Sequence, residues 1–116
     1  MRVLGVVFVC LLTGIGQRPA DAQSPMSGAG TLLCSDLAGY EENSLARWQS
    51  IGWAYGYMSG LNHLLITEQH RYHDISTIEP QALWAAMHAY CVANSDDILV
   101  NSVVPVYNQS PLTDFE

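Results

Sequence analysis

The sequence predicts an all-α protein, a compact bundle of three or four short helices closed by one disulfide. Three observations carry that prediction. Apolar residues recur in steps of three and four from Leu45 to Leu65, and the spacing returns around Leu83 and again around Leu99. No alternating strand pattern competes, apart from a valine-rich stretch before Pro105. Cys34 and Cys91 are the only cysteines beyond an N-terminal export signal.

The signal is read from three features. Met1-Arg2 gives a positive start, Val3 to Ile15 is apolar, and Ala20-Asp21-Ala22 has the form of a cleavage site. Cleavage there predicts a secreted chain of 94 residues beginning at Gln23 and delivered to the periplasm. Two cysteines in an oxidising compartment read as one bridge, the alternative being two free structural thiols. A domain of this size buries only about 60–65% of its unfolded surface. A cross-link closing the long loop from Cys34 to Cys91 would then add roughly 4 kcal/mol. The domain plan is a signal at 1–22, a flexible lead-in at 23–31, a single helical domain at 32–109 and a loose tail at 110–116.

Each element has a local reason. The lead-in is small, polar and glycine-bearing. A short first helix opens around Thr31 or Ser35 and runs through Leu37 and Tyr40. The central helix takes Asn43 or Ser44 as its cap and presents Leu45, Trp48, Ile51, Tyr55, Met58 and Leu61 or Leu65 on one face. Gly52, Gly56 and Gly60 form a second stripe on it. Each glycine costs about 1 kcal/mol in a helix interior, so the stripe predicts a second backbone packed closely against it. Thr67 to Thr77 is polar and reads as a loop. Ser76 and Glu79 have capping-box spacing, and Pro80 suits the first turn of a third helix through Leu83, Trp84, Met87 and Cys91. Ser95-Asp96-Asp97 supplies a cap and acidic first turn for a last helix, which Pro105 should kink or end.

Charge narrows the function classes. The secreted chain has two cations, Arg47 and Arg71, against ten carboxylates and no lysine, a formal balance of −8. Such a surface repels phosphate backbones and anionic lipid, which disfavours nucleic acid and membrane surfaces as partners. The apolar stretch from Ile51 to Ile66 is too short for a membrane span and contains Asn62 and His63. In strong acid the same chain swings to about +7 as carboxylates neutralise and histidines charge.

Three segments carry a resemblance. Cys34-Ser35-Asp36-Leu37, Gly56-Tyr57-Met58-Ser59-Gly60-Leu61-Asn62 and Tyr90-Cys91-Val92-Ala93-Asn94 together resemble the HdeA-type family of small exported bacterial proteins. The GYMSGLN segment is more similar to a large uncharacterised branch of that family than to its proven chaperones, and many members of that branch carry proline where Ser95 stands. The resemblance implies a helical periplasmic domain with one disulfide. For the chaperone members it also implies a homodimer that opens in acid and holds unfolding clients on exposed apolar surface. Without lysine, this chain carries much less of the acid-state charge of those chaperones.

The remaining candidates are weighed by chemistry. His63, His70 and His73 lie near Glu68 and Asp74, but their spacing matches no closed metal site and no cysteine remains to help. They read as solvated loop histidines, and neither a metal nor another cofactor is expected. No positioned nucleophile accompanies them, so no catalytic residue is assigned and the chain is not expected to be an enzyme. His88, beside the apolar stripe of the third helix, is the candidate pH-responsive group. Buried and neutral, it would add stability at neutral pH that is lost as acid forces the charge in. Trp53 and Tyr57 point away from the central helix's apolar face, toward another helix or a partner surface. Two functions follow as expectations: an acid-stress chaperone of the HdeA type, or a specific periplasmic binding partner. An immunity protein neutralising an exported toxin is the example, and its basic partner would be steered by charge.

Overall fold

The computed structural model describes residues 26–116, and the signal at 1–22 lies outside the described residues. Four α-helices are present among the described residues: α1 (Cys34–Ala38), α2 (Leu45–Gln69), α3 (Pro80–Ala93) and α4 (Leu99–Gln109). Two three-residue strands, β1 (Arg71–His73) and β2 (Leu112–Asp114), pair antiparallel with Tyr72 opposite Thr113. Short 3-10 turns cover Gly28–Thr31 and Ile75–Thr77. The all-α class, the helix number and the Cys34–Cys91 bridge agree with the sequence reading.

Helix α2 begins where expected. The Ser44 hydroxyl accepts the Arg47 backbone N–H at 3.2 Å, the ordinary N-cap arrangement. Its far end runs past the predicted loop boundary to Gln69, where His70 adopts a left-handed conformation (φ 52°) and returns its N–H to Ile66. That turn directs the chain into β1, so the segment read as a polar loop is mostly ordered secondary structure. The predicted face of α2 is also displaced. Leu45 and Trp48 are 73% and 44% exposed, whereas Arg47, Ser50, Ile51, Ala54 and Met58 are buried. Small residues at 50 and 54 let neighbouring segments approach the helix, and a cation takes the place expected of a large apolar side chain.

Helix α3 opens with Pro80 at its first position, but the capping box does not form. Ser76 instead bonds the Asp74 carboxylate through both its backbone N–H (3.1 Å) and its hydroxyl (2.5 Å). Leu83, Trp84, Met87 and Cys91 all turn into the core as their spacing requires. Helix α4 continues through Pro105 to Gln109. The proline removes one ladder bond in a helix held mainly by burial of Leu99, Val100, Val103 and Tyr107.

The core lies where α3 meets α1 on one side and α4 on the other, with α2 laid across them. The tail is not loose: β2 zips onto β1, and the Phe115 N–H donates to the His70 carbonyl at 2.8 Å. Nor is the end of the lead-in free. Gly28–Thr31 is a 3-10 turn held under the Trp53 ring.

Candidate functional site

The disulfide region is tied by the covalent bridge and by backbone hydrogen bonds to the start of α4. Cys34 and Cys91 are joined with Cα atoms 4.5 Å apart, both fully buried. The Cys34 N–H donates to the Asp97 carbonyl at 2.8 Å, and the Leu99 N–H donates to the Leu32 carbonyl at 2.9 Å. Asp97 therefore sits beside the bridge, at the junction of α1, α3 and α4. Its carboxylate accepts three hydrogen bonds, from the Tyr90 hydroxyl (2.5 Å), the Asn101 amide (2.6 Å) and the Ile98 N–H (2.8 Å). Those donors, the Tyr90 hydroxyl foremost, hold the Asp97 carboxyl below its ordinary 3.8. The same bond raises the Tyr90 phenol. From the sequence Asp97 was legible only as part of an acidic first turn. That its oxygens reach back to α3 depends on the turn between the helices.

His88 is half-buried on α3, with Nε2 3.1 Å from the Ala38 carbonyl and its ring 5.9 Å from that of Trp84. A carbonyl only accepts, so Nε2 carries the hydrogen in the neutral and the charged ring alike. That bond ties α3 to the end of α1.

Arg47 was counted only as surface charge in the sequence, yet it is 2% exposed. Its guanidinium lies 5.2 Å from the Trp84 ring centre and 5.9 Å from that of Trp48. One terminal nitrogen donates to the Gln81 carbonyl oxygen, another is 3.7 Å from Glu42, and Nε is buried without a hydrogen-bond partner. The Glu42 side chain is 83% exposed, so water weakens that pairing. No sequence pattern marked Arg47 as buried, although tryptophan next to arginine is the composition such a cage needs.

The loop histidines separate. His63 and His70 are exposed, whereas His73 is half-buried in β1. Nδ1 of His73 donates to the Ser110 carbonyl at 2.8 Å, and its ring lies 4.4 Å from that of Tyr107. Burial raises the Tyr107 phenol. Among the described residues no group of three or more His, Cys, Asp or Glu is arranged to hold a metal ion.

Trp53 and Tyr57 stack with ring centres 5.2 Å apart. Trp53 is used within the chain rather than offered to a partner: its Nε1–H donates to the Ser27 carbonyl at 3.0 Å and its ring covers Gly30. Beside it is a cleft of about 390 Å³ lined by Ala29, Leu32, Tyr40, Ala46, Ser50 and Trp53, with no carboxylate, imidazole or thiol in its wall. The glycine stripe also departs from expectation. Apart from the helix's own backbone, nothing among the described residues lies within 4 Å of a Cβ placed at Gly52, Gly56 or Gly60. The close backbone neighbour the stripe predicted is absent within the described chain, because the other helices pack on the opposite face.

Comparison with family models, with curated proteins and with solved structures finds no match for this chain.

Proposed function

We propose that this chain is a non-enzymatic periplasmic protein of the HdeA type, which loosens in acid and binds unfolding proteins. One observation carries the reading: the Asp97 carboxylate, with a lowered pKa, joins α3 to the start of α4 beside the disulfide. A carboxyl lowered by its donors adds stability above its unfolded pKa, and that stability is lost as pH falls through the lower, folded value. The junction thus holds in mild acid and gives way below the usual carboxylate range. Release of α4 would bare Leu99, Val103 and Tyr107, while the Cys34–Cys91 bridge keeps α1 and α3 together.

The test is client protection. Oxidised protein beginning at Gln23 is mixed with a model client near pH 2–3 and light scattering is followed. Suppressed aggregation that disappears on reduction supports the proposal; unchanged aggregation with retained near-ultraviolet dichroism removes it.

A second reading is favoured by the charge distribution. Arg47 is buried and Arg71, 44% exposed, is paired with Asp114 at 3.3 Å, so each cation of the secreted chain has a carboxylate or aromatic neighbour within the chain. What is left outside is anionic and suits a basic protein partner, such as a toxin held by an immunity protein. A stoichiometric partner recovered from native periplasm at neutral pH, released by salt, would replace the chaperone reading with this one.

A further inference from the structure

The two strands of the β pair are held in different ways. On the edge away from β2, the Asn62 side chain bonds both backbone groups of His73, and the His73 ring bonds the Ser110 carbonyl. The tail is pinned only as far as Ser110, which is buried and whose N–H and hydroxyl donate to the Tyr107 and Val106 carbonyls. Beyond Pro111 every residue of β2 is exposed. The ladder runs from the Asp74 N–H on the Pro111 carbonyl (2.7 Å) to the Phe115 N–H on the His70 carbonyl (2.8 Å), with Tyr72 opposite Thr113 between them. Two side-chain contacts accompany it. Arg71 Nε lies 3.3 Å from the Asp114 carboxylate, and the Phe115 ring meets Tyr72 edge-on at 6.2 Å. Among the hydrogen bonds and ion pairs of the described residues, β1 has partners besides β2, whereas β2 has β1 alone.

We propose that β1 is a strand-accepting edge and the tail its built-in, displaceable occupant, so that an extended segment of another protein can take the place of β2. Strand addition draws affinity from main-chain bonds and specificity from alternate side chains. The tail itself shows what the edge takes: a carboxylate opposite Arg71, followed directly by an aromatic ring that lies against Tyr72. Charge favours the same ligand. Arg71 is the one exposed arginine of a secreted chain with ten carboxylates, because Arg47 is buried, so an acidic segment is attracted at β1 and repelled over most of the remaining surface. Tethered to α4, the tail competes at an effective concentration of about millimolar. A free peptide should therefore bind the natural chain weakly and a chain with a weakened tail far better.

The probe is a synthetic peptide copying residues 110–116, added to isotope-labelled, oxidised secreted chain at neutral pH and followed by nuclear magnetic resonance. D114K sets two cations opposite each other and loosens the tail. In that variant the peptide should shift the Tyr72 and Asp74 amides saturably, with an affinity at least tenfold higher than for the natural chain. A peptide carrying T113P should fail, since proline cannot donate to the ladder. In the natural chain alone, the Phe115 N–H should exchange with solvent at least tenfold faster than the His73 N–H. Asp114 is exposed, so circular dichroism and melting temperature should hold in D114K. Equal exchange at Phe115 and His73, no response of Tyr72 in D114K, or an equal response to the proline peptide would overturn the proposal. So would peptide added to the outer edge of β2 with the Phe115 bond intact. A doubled mass in sedimentation, from two copies trading tails, would assign the edge to a second copy instead. The measurement uses neither acid nor an aggregating client, so its outcome is independent of the chaperone assay.

Discussion

Asn62 on α2 bonds both backbone groups of His73 on β1. Its Nδ2 donates to the His73 carbonyl, and its Oδ1 accepts the His73 N–H, each at 2.8 Å. The amide thus does for one edge of β1 what β2 does for the other, closing a strand that would otherwise be left open on that side. The same Oδ1 accepts the Tyr107 hydroxyl at 2.9 Å, so one side chain joins α2, β1 and α4.

Replacing Asn62 with alanine removes three hydrogen bonds and leaves partly buried backbone groups unpaired. A loss of about 2–3 kcal/mol is expected, since each such bond contributes about 1 kcal/mol. Urea unfolding with the disulfide intact measures it. Hydrogen exchange should speed first at the strand pair, before the disulfide region responds.

Asp97 sets the acid limb of the stability curve. D97N keeps much of the shape but removes the carboxylate whose pKa is lowered by Tyr90, Asn101 and the Ile98 N–H. The variant should be less stable at neutral pH. The difference should persist down to the ordinary carboxylate value of 3.8 and close as pH falls through the lower, folded value. Urea midpoints at a series of pH values from neutral into strong acid check the sign. A gap constant across the series would show that Asp97 acts by shape alone.

Arg47 tests whether a buried cation or a filled volume matters. R47A should cost about 2–4 kcal/mol, because the long side chain packs between two indoles and its loss leaves a cavity. R47M should fall within about 1 kcal/mol of the natural protein, since an apolar side chain of similar length avoids burying a charge and an unpaired Nε–H. Thermal melts of the two variants side by side distinguish the terms.

Gly30 is fixed by close approach. A Cβ there would stand 2.1 Å from the Trp53 ring, so G30A must displace the indole or the turn beneath it. A cost of about 1–3 kcal/mol is expected from overpacking. A red shift of tryptophan emission should accompany it, as Trp53 loses its seat and its bond to the Ser27 carbonyl.

Features that depend on near neighbours in the chain were legible. The Ser44 cap, Pro80 at the start of α3 and the core spacing of Leu83, Met87 and Cys91 each follow from contacts within one helical turn. The Cys34–Cys91 pairing followed from having two cysteines and one partner each. Features that join distant segments were not legible. The β1–β2 pair links positions some forty residues apart through strands too short for a period of two to register. Asn62 and Asp97 looked like ordinary polar residues because their partners are set by the path of the chain between them.

What the chain decides alone is which stretches coil and which two sulfur atoms can meet, because helical periodicity and covalent pairing are local or countable. Only the folded arrangement decides that Arg47 goes inside, that the tail is strapped to β1, and that the glycine row faces outward. Each of those turns on which surfaces come together once α1, α3 and α4 have gathered on one side of α2. Burial is a property of that gathering, and hydropathy read along a single helix cannot say which flank it will occupy.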